Sequence, residues 1–427
     1  MTISPDPIAP AQVLNDGGIS PVVLPISDYA SEKNTETETV RVLHVINGEH
    51  FSGAERVQDL LAQCLPESGY EVGFACVKPD KFDDARESDA PIFDVQMNSR
   101  FDLTAIRKLR QIVLDGDYKI LHAHTPRSLM LASIVARWLK LPLVYHVHSP
   151  TSRDSTNKIR SFVNAAVETF SMGNAKRIVT VSNSLRKHIQ CLGFEFEQIS
   201  VVPNGVSVSD VRRSPEPPTG TWTIGTVALF RGRKGTEVLL DAISELRSAG
   251  RDVCLRAVGP FETPEYEKQI MDQVERLGIG DAIDWVGFTK DVHSEFKQMD
   301  LFVLPSLFGE GLPMVVLEAM ACGVPPIGTT VEGVPEAIKD RHNGLLAKPN
   351  DAKDLARVIA LALDGEVSWS ELRENAIARH AEEFSDQSMA SGVAAVYDEI
   401  LKESNDCLLY TSPSPRDATL SRMPSSA

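Results

Sequence analysis

Between Val40 and about residue 404 the chain alternates short β-rich runs with helical stretches, and this alternation limits the fold more than any other feature. Val40-Arg-Val-Leu-His-Val-Ile46 reads as a strand, and Ala54 to Leu65 as a helix. Lys119–His122, Leu143–His146, Arg177–Val181 and Ser200–Val202 read as further strands, with helical sequence between them. Such alternation builds parallel sheets, because a parallel neighbour is reached only through a crossover, usually a helix. Pro203-Asn-Gly-Val closes the series, and Ser214-Pro-Glu-Pro-Pro218 makes a Pro-rich connector. A second series begins at Thr223–Ala228 and continues at Val253–Val258, Ala282–Val286, Leu301–Leu304 and Pro326–Gly328. The expected fold class is α/β, with two doubly wound Rossmann-like domains, residues 40–210 and 211–385, facing across a cleft. A helical stretch over 386–406 follows. Ligands of such sheets bind beyond the carboxyl ends of the strands.

Two end segments stand apart. Residues 1–39 are rich in Pro, Ser, Thr and acids without periodicity, and read as a disordered leader. Residues 407–427 (CLLYTSPSPRDATLSRMPSSA) resemble the translation of a sequencing-library adapter and are expected to be a non-native tail. The chain of 427 residues has room for two cores and carries a formal charge of −16. That acidity argues against nucleic acid as a partner. No apolar run approaches the ~20 residues that cross a bilayer. No signal-peptide pattern opens the chain, and six scattered cysteines suggest neither a zinc ribbon nor a disulfide framework. A cytoplasmic location, with access to the inner face of a membrane, is expected.

The richest stretch for chemistry is Glu310-Gly-Leu-Pro-Met-Val-Val-Leu-Glu318-Ala-Met-Ala-Cys-Gly-Val-Pro325. Glu318 is the only charged side chain between Gly311 and Val331. A carboxylate in so apolar a helical run must find donors, or it costs several kcal/mol (roughly). Pro313 suits the first helical turn, and Gly323 with Pro325 marks the end. Free N–H groups at the start, around Leu312, Pro313, Met314 and Val315, offer a seat for phosphate. Glu310 before the helix and Glu318 along it could then hold hydroxyls on either side.

Those residues, with Leu304-Pro-Ser-Leu-Phe-Gly before them, resemble the E-x7-E signature of the retaining family 4 glycosyltransferases. The resemblance spans roughly Val40 to Ser404. It implies the GT-B architecture and transfer of a sugar from a nucleoside diphosphate to an acceptor hydroxyl with retention of configuration. It further implies a setting in cell-envelope or exopolysaccharide assembly, a glycan or lipid-linked acceptor, and no cofactor or metal. In the family the last helix returns to the first domain.

Other matches extend it. Arg231, Arg233 and Lys234 form a basic turn in a stretch without acids from Glu216 to Glu237, inside a region (211–406) with 20 basic and 33 acidic residues. Such a turn before a helix suits a diphosphate leaving group, or is simply a solvated turn. Lys234 matches the family's phosphate-binding lysine. The family's usual arginine, five residues earlier, is Leu229 here, so Arg231 or Arg233 is expected to replace it. Ser52-Gly53-Ala54-Glu55-Arg56 resembles the family's glycine-rich turn, where Gly53 would admit the diphosphate or acceptor. Glu332-Gly-Val-Pro-Glu336 resembles the turn after the signature helix, its glutamate either a helix-start carboxylate or a ligand.

Two His-x-His pairs, His122/His124 and His146/His148, end strands and each lies on one face. Without an Asp or Cys cluster beside them, core packing is the expectation over zinc. His148 matches the family histidine that orients the donor at the anomeric carbon. Catalytic candidates are therefore His148, Lys234 and Glu310. Substrate-binding candidates are Gly53, Arg231, Arg233, Leu312, Pro313, Met314, Val315 and Glu318. Arg137-Trp138-Leu139-Lys140 reads as an ordinary helix end or as a peripheral membrane contact. Rival readings are a nucleotide-sugar epimerase, a non-catalytic nucleotide-sugar-binding module and a metal-dependent hydrolase.

Overall fold

The structure is a computed structural model that describes residues 39–97, 99, 102–149 and 167–411, with side chains followed to residue 403. The leader lies outside the described residues except for Thr39, as does the tail beyond Thr411. The described chain forms one unit beginning at Thr39.

The first sheet contains β1 (Val40–Ile46), β2 (Tyr70–Cys76), β3 (Ile92–Asp94), β4 (Ile120–Ala123), β5 (Leu143–Val147), β6 (Arg177–Thr180) and β7 (Ile199–Val201). Its order is β3-β2-β1-β4-β5-β6-β7, with parallel pairing throughout. The second contains β8 (Trp222–Val227), β9 (Val253–Val258), β10 (Ile283–Gly287), β11 (Leu301–Leu304), β12 (Pro326–Thr329) and β13 (Leu345–Ala347). Its order, β10-β9-β8-β11-β12-β13, is also parallel. Both orders reverse direction after the first strand of the sheet, the switch point where doubly wound sheets open a crevice.

Three strands carry no strong sequence pattern. β3 and β13 are three-residue strands, too short to show alternation. β2 contains Gly73, where an added Cβ would lie 2.1 Å from the Tyr118 hydroxyl. The glycine that hides the strand in sequence is there because Tyr118 packs against its backbone.

The two lobes meet closely. One apolar cluster runs from the first sheet through Leu312, Met314, Val316 and Leu317 to Val393 and Tyr397, while a second fills the far side of the C-terminal lobe. The C-terminal helix, Asp386–Thr411, leaves the second lobe and packs on the first. Tyr70 donates to Asp398 at 2.6 Å, and Lys176 pairs with Glu403 at 2.6 Å. That helix runs past residue 406 into the segment read as a tail.

Candidate active site

The signature helix spans Met314–Ala321, with Pro313 as its N-cap rather than within its first turn. Pro313 has an extended ψ of 116°, so helical geometry begins one residue later than the sequence pattern suggests. No side chain caps this end; the Val316 N–H bonds the Pro313 carbonyl at 3.1 Å, and the Met314 and Val315 N–H groups before it have no acceptor within the helix. Leu312 is buried, and its carbonyl accepts from Asn204 Nδ2 at 2.9 Å. Met314 is buried and Val315 half-buried.

Beside this helix start lies the basic turn. Gly232–Lys234 makes a single tight turn after β8, and the Thr236–Ser248 helix follows. Gly235 joins them at φ +68°, and a Cβ there would stand 2.1 Å from the Pro305 carbonyl, so only glycine fits. Lys234 Nζ reaches Glu310 Oε1 at 2.5 Å, and Ser306 Oγ donates to the same oxygen at 2.6 Å. Burial pushes the Lys234 ammonium below its ordinary value, and Glu310 opposes that shift. Arg233 donates to the Gly309 carbonyl at 3.1 Å and stands 3.8 Å from Glu310. Arg231 turns the other way, onto Glu262 at 3.2 Å. The turn therefore splits: Lys234 and Arg233 gather on Glu310, and Arg231 does not.

Glu318 is wholly buried and ion-paired with Arg56, which reaches it from the Gly53–Cys64 helix of the other lobe. Neither Glu318 oxygen makes a well-aligned hydrogen bond, so Arg56 compensates its charge without satisfying its lone pairs. Gly53 begins the Arg56 helix, and a Cβ there would touch Met314 Cγ at 3.4 Å. Glu55 accepts from the backbone N–H and the hydroxyl of Ser52, at 3.2 and 2.7 Å, which fixes the turn. Two helix N-termini, one from each lobe, thus abut.

The lobes also touch at backbone level. A Cβ on Gly311 would lie 2.1 Å from the His148 carbonyl of the other lobe; within the second lobe, one on Gly333 would lie 1.6 Å from the Gly311 carbonyl. Glu336 accepts from the backbone N–H groups of Asn183 and Ser184, both at 2.7 Å, and so caps the Asn183–Cys191 helix across the seam. Its helix-start reading fits this geometry. Glu332, with φ +27°, accepts from the Gly309 and Glu310 N–H groups at 2.8 and 3.3 Å and holds the Glu310 loop. The two surface depressions that stand out are elsewhere. One, of about 410 Å³, is lined by residues such as Arg41, Gln63 and Glu71, and one of about 390 Å³ lies along the Glu265–Arg276 face. Neither contains a candidate residue.

His148 belongs to a larger set. His44, His122, His124 and His146 are buried beside it at the ends of β1, β4 and β5. His124 Nδ1 lies 3.1 Å from His148 Nε2, and His124 Nε2 lies 3.1 Å from His44 Nδ1. Tyr397 Oη bridges His44 Nε2 at 3.1 Å and His122 Nδ1 at 2.6 Å. Burial lowers all five imidazole pKa values, that of His44 to about 3 and that of His148 to about 4. Sequence reasoning passed over His44, a lone histidine inside a strand pattern, and Tyr397, far away in a helix. Arg56 stood in the glycine turn unassigned, and only its charge beside an apolar helix start hinted at a role.

Residues 51–210 match the model for Glycosyltransferase Family 4, and residues 208–382 that for Glycosyl transferases group 1. A phosphatidyl-myo-inositol mannosyltransferase of Mycobacterium leprae is 27% identical over 301 residues, covering 69% of this chain and 76% of the relative. A UDP-Gal:alpha-D-GlcNAc-diphosphoundecaprenol alpha-1,3-galactosyltransferase of Escherichia coli is 25% identical over 358 residues, covering 78% and 90%. Among solved structures, Anabaena HepE in complex with UDP superposes with a TM-score of 0.74 at 20% identity, over 84% of this chain and all of that one. The same protein with UDP-glucose gives 0.73 at 21%, over 84% and 99%. The fold is therefore GT-B, and the chain belongs to the group 1 / family 4 glycosyltransferases.

Proposed function

We propose that the enzyme transfers a sugar from a nucleoside-diphosphate sugar to an acceptor hydroxyl with retention of anomeric configuration. One observation carries the reading: Lys234, Arg233 and Glu310 meet at the start of the signature helix, against Gly53 and His148 of the opposite lobe. Cations and free helix N–H groups in one place suit the departing diphosphate, whose charge grows as the glycosidic bond breaks. Glu310 holds sugar hydroxyls from below the phosphate. Glu318 exchanges Arg56 for the ribose when the lobes part to admit the donor. His148, kept neutral by burial, faces developing positive charge with a lone pair rather than a competing charge. No second carboxylate is assigned as a nucleophile; the leaving phosphate takes the acceptor proton on the same face. The chemistry assigned to these residues calls for no cofactor.

The donor nucleotide follows the UDP and UDP-glucose of the HepE complexes, and the acceptor follows the lipid-linked acceptors named for the relatives. No described helix is long and apolar enough to cross a membrane. We place contact with a lipid-linked acceptor at the surface around Trp138, which is 56% exposed beside Arg137 and Lys140 and stacks with Arg110 at 4.8 Å. A panel of UDP-, GDP- and ADP-sugars in thermal-shift assays tests the donor, since bound ligand raises the melting temperature. Release of nucleoside diphosphate with and without an acceptor then separates a transferase from an epimerase. Failure of every nucleotide sugar to bind would overturn the reading.

A further inference from the structure

A neutral imidazole carries one N–H and one lone pair, so a ring bonded at both nitrogens donates at one and accepts at the other. His124 is such a ring: its Nδ1 lies 3.1 Å from His148 Nε2, and its Nε2 lies 3.1 Å from His44 Nδ1. His44 is another, since its Nε2 lies 3.1 Å from the Tyr397 hydroxyl. Tyr397 has one proton to give and a second partner, His122 Nδ1, at 2.6 Å. His148, His124, His44 and Tyr397 therefore form one row in which the direction of a single hydrogen bond dictates the rest. Packing holds the ring planes. His122 stacks on His124 and His146 on His148, both at 4.3 Å. The His124 and His148 centroids stand 5.4 Å apart, the full reach of a 3.1 Å contact plus both ring radii, so these two rings meet edge to edge.

Two proton orders satisfy the row, and the Tyr397 distances choose between them. An O–H donor makes the shorter bond and an N–H donor the longer. At 2.6 Å Tyr397 donates to His122 Nδ1, and at 3.1 Å it accepts from His44 Nε2. His44 Nδ1 is then an acceptor, His124 donates from Nε2 and accepts at Nδ1, and His148 donates from Nε2. His148 Nδ1, which has no partner, is left with a lone pair. We propose that Tyr397, His44 and His124 are positioning residues that fix the His148 proton on Nε2 and keep Nδ1 bare at the cleft. The reversed order would put an N–H there, turning the positive end of a dipole toward developing positive charge. Unmatched burial does not decide the order, because each leaves one N–H without a partner, on His122 Nε2 in the first and on His148 Nδ1 in the second. The inference rests on the role given to His148 in the proposed reaction. It ties that role to the helix Asp386–Thr411, which carries Tyr397 in from the second lobe.

The tautomer is read on the free, full-length protein by nitrogen NMR of labelled histidines, where protonated and bare ring nitrogens resonate far apart. His148→Gln identifies the signals by their loss. The parent is expected to carry the His148 proton on Nε2. Tyr397→Phe removes the acceptor of His44 Nε2. An orphaned N–H is the costlier group to bury, so His44 should move its proton to Nδ1, reversing the row and placing the His148 proton on Nδ1. In the transferase assay, kcat of Tyr397→Phe should fall about tenfold or more while KM stays within about twofold, because the change is felt by charge that develops in the transition state. Tyr70→Phe is the control. It removes a hydroxyl from the same helix seam, bonded to Asp398 outside the row, and should leave both the tautomer and kcat as in the parent. A parent protonated on Nδ1, or a Tyr397→Phe protein still protonated on Nε2, overturns the proposal. If Tyr397→Phe unfolds, the parent's spectrum decides alone. A reversed tautomer with undiminished kcat would uphold the row and remove His148 from the reaction, so the two readings fail separately.

Discussion

The two faces of the cleft handle polar burial in opposite ways. On the C-terminal side, charges are buried as pairs: Lys234 with Glu310, and Glu318 with an arginine borrowed from the other lobe. On the N-terminal side, four buried histidines and half-buried His148 have no carboxylate among their hydrogen-bond partners in the described residues, and burial lowers their pKa values. A charged floor can exchange its internal partner for a ligand's phosphate or hydroxyls at little net loss, because the charge is compensated before and after. A neutral floor resists protonation and offers lone pairs. Under the proposed function, this contrast puts the diphosphate and the sugar hydroxyls on the charged side and the anomeric carbon against neutral His148 on the other.

The sharpest way to break that contrast is to remove the cation at the centre of the charged side. Lys234→Ala should lower turnover on the order of 100-fold or more, the usual loss when a group stabilising transition-state charge is deleted. It also leaves Glu310 with Ser306 and the more distant Arg233, so a melting curve must accompany the kinetics. Wild-type turnover in the variant would remove the lysine from the mechanism.

The neutral side is tested by pH. The unfolded His44 ring takes a proton below about 6.5, whereas the folded ring resists it down to about 3. The unfolded state therefore binds more protons within that window, and stability falls as pH drops through it. One ring contributes about 1.4 kcal/mol per pH unit, so roughly 2 kcal/mol should be lost between pH 7 and pH 5 through His44 alone. Above 6.5 this dependence should vanish. Urea unfolding of the parent and of His44→Asn at both pH values checks it: the variant should lose less on acidification. An equal loss in both proteins would show that His44 does not carry the effect.

Glu318 joins the two sides, and here the expected effect is smaller. Glu318→Gln keeps the shape but removes the charge that a nucleotide ribose would share, and charge-assisted hydrogen bonds are worth about 1.5–3 kcal/mol. Nucleotide affinity by calorimetry should fall about tenfold or more. Arg56→Ala, by contrast, strands a buried carboxylate and should lower the melting temperature before it touches affinity. A variant pair with these two effects interchanged would mean that Arg56, not Glu318, meets the nucleotide.

Legibility from sequence follows the range of the interaction. Strand β1, read as Val40–Ile46, is local in pattern and stands as read, as do β9 and β11. Glu318 was conspicuous because a lone carboxylate in an apolar helix demands a partner, yet the partner, Arg56, is 262 positions away and carries no local mark. The histidine cluster needed the β1–β4–β5 strand order before His44 could join the two His-x-His pairs, and Tyr397 reached them only through the return of the last helix. The backbone contact between the lobes is likewise invisible to pattern, since glycines such as Gly311 mark it only once the opposing backbone is in place.

The finest distinction lies inside the basic turn, where sequence left Arg231 and Arg233 as equals in place of Leu229. The structure separates them by direction, with Arg233 leaning on the Glu310 loop and Arg231 pairing with Glu262 at the surface. An exposed ion pair is worth about 0–1 kcal/mol, so Arg231→Ala should change UDP affinity by less than ~5-fold. Arg233→Ala removes a donor fork beside the diphosphate seat and should cost about tenfold. Titration calorimetry with UDP on both variants orders them. If Arg231→Ala proves the more damaging, Arg231 must release Glu262 and swing inward on binding. The cation that stands in for the one missing at Leu229 would then be delivered by the nucleotide's arrival, and the charged side of the cleft would be assembled by its ligand rather than held ready for it.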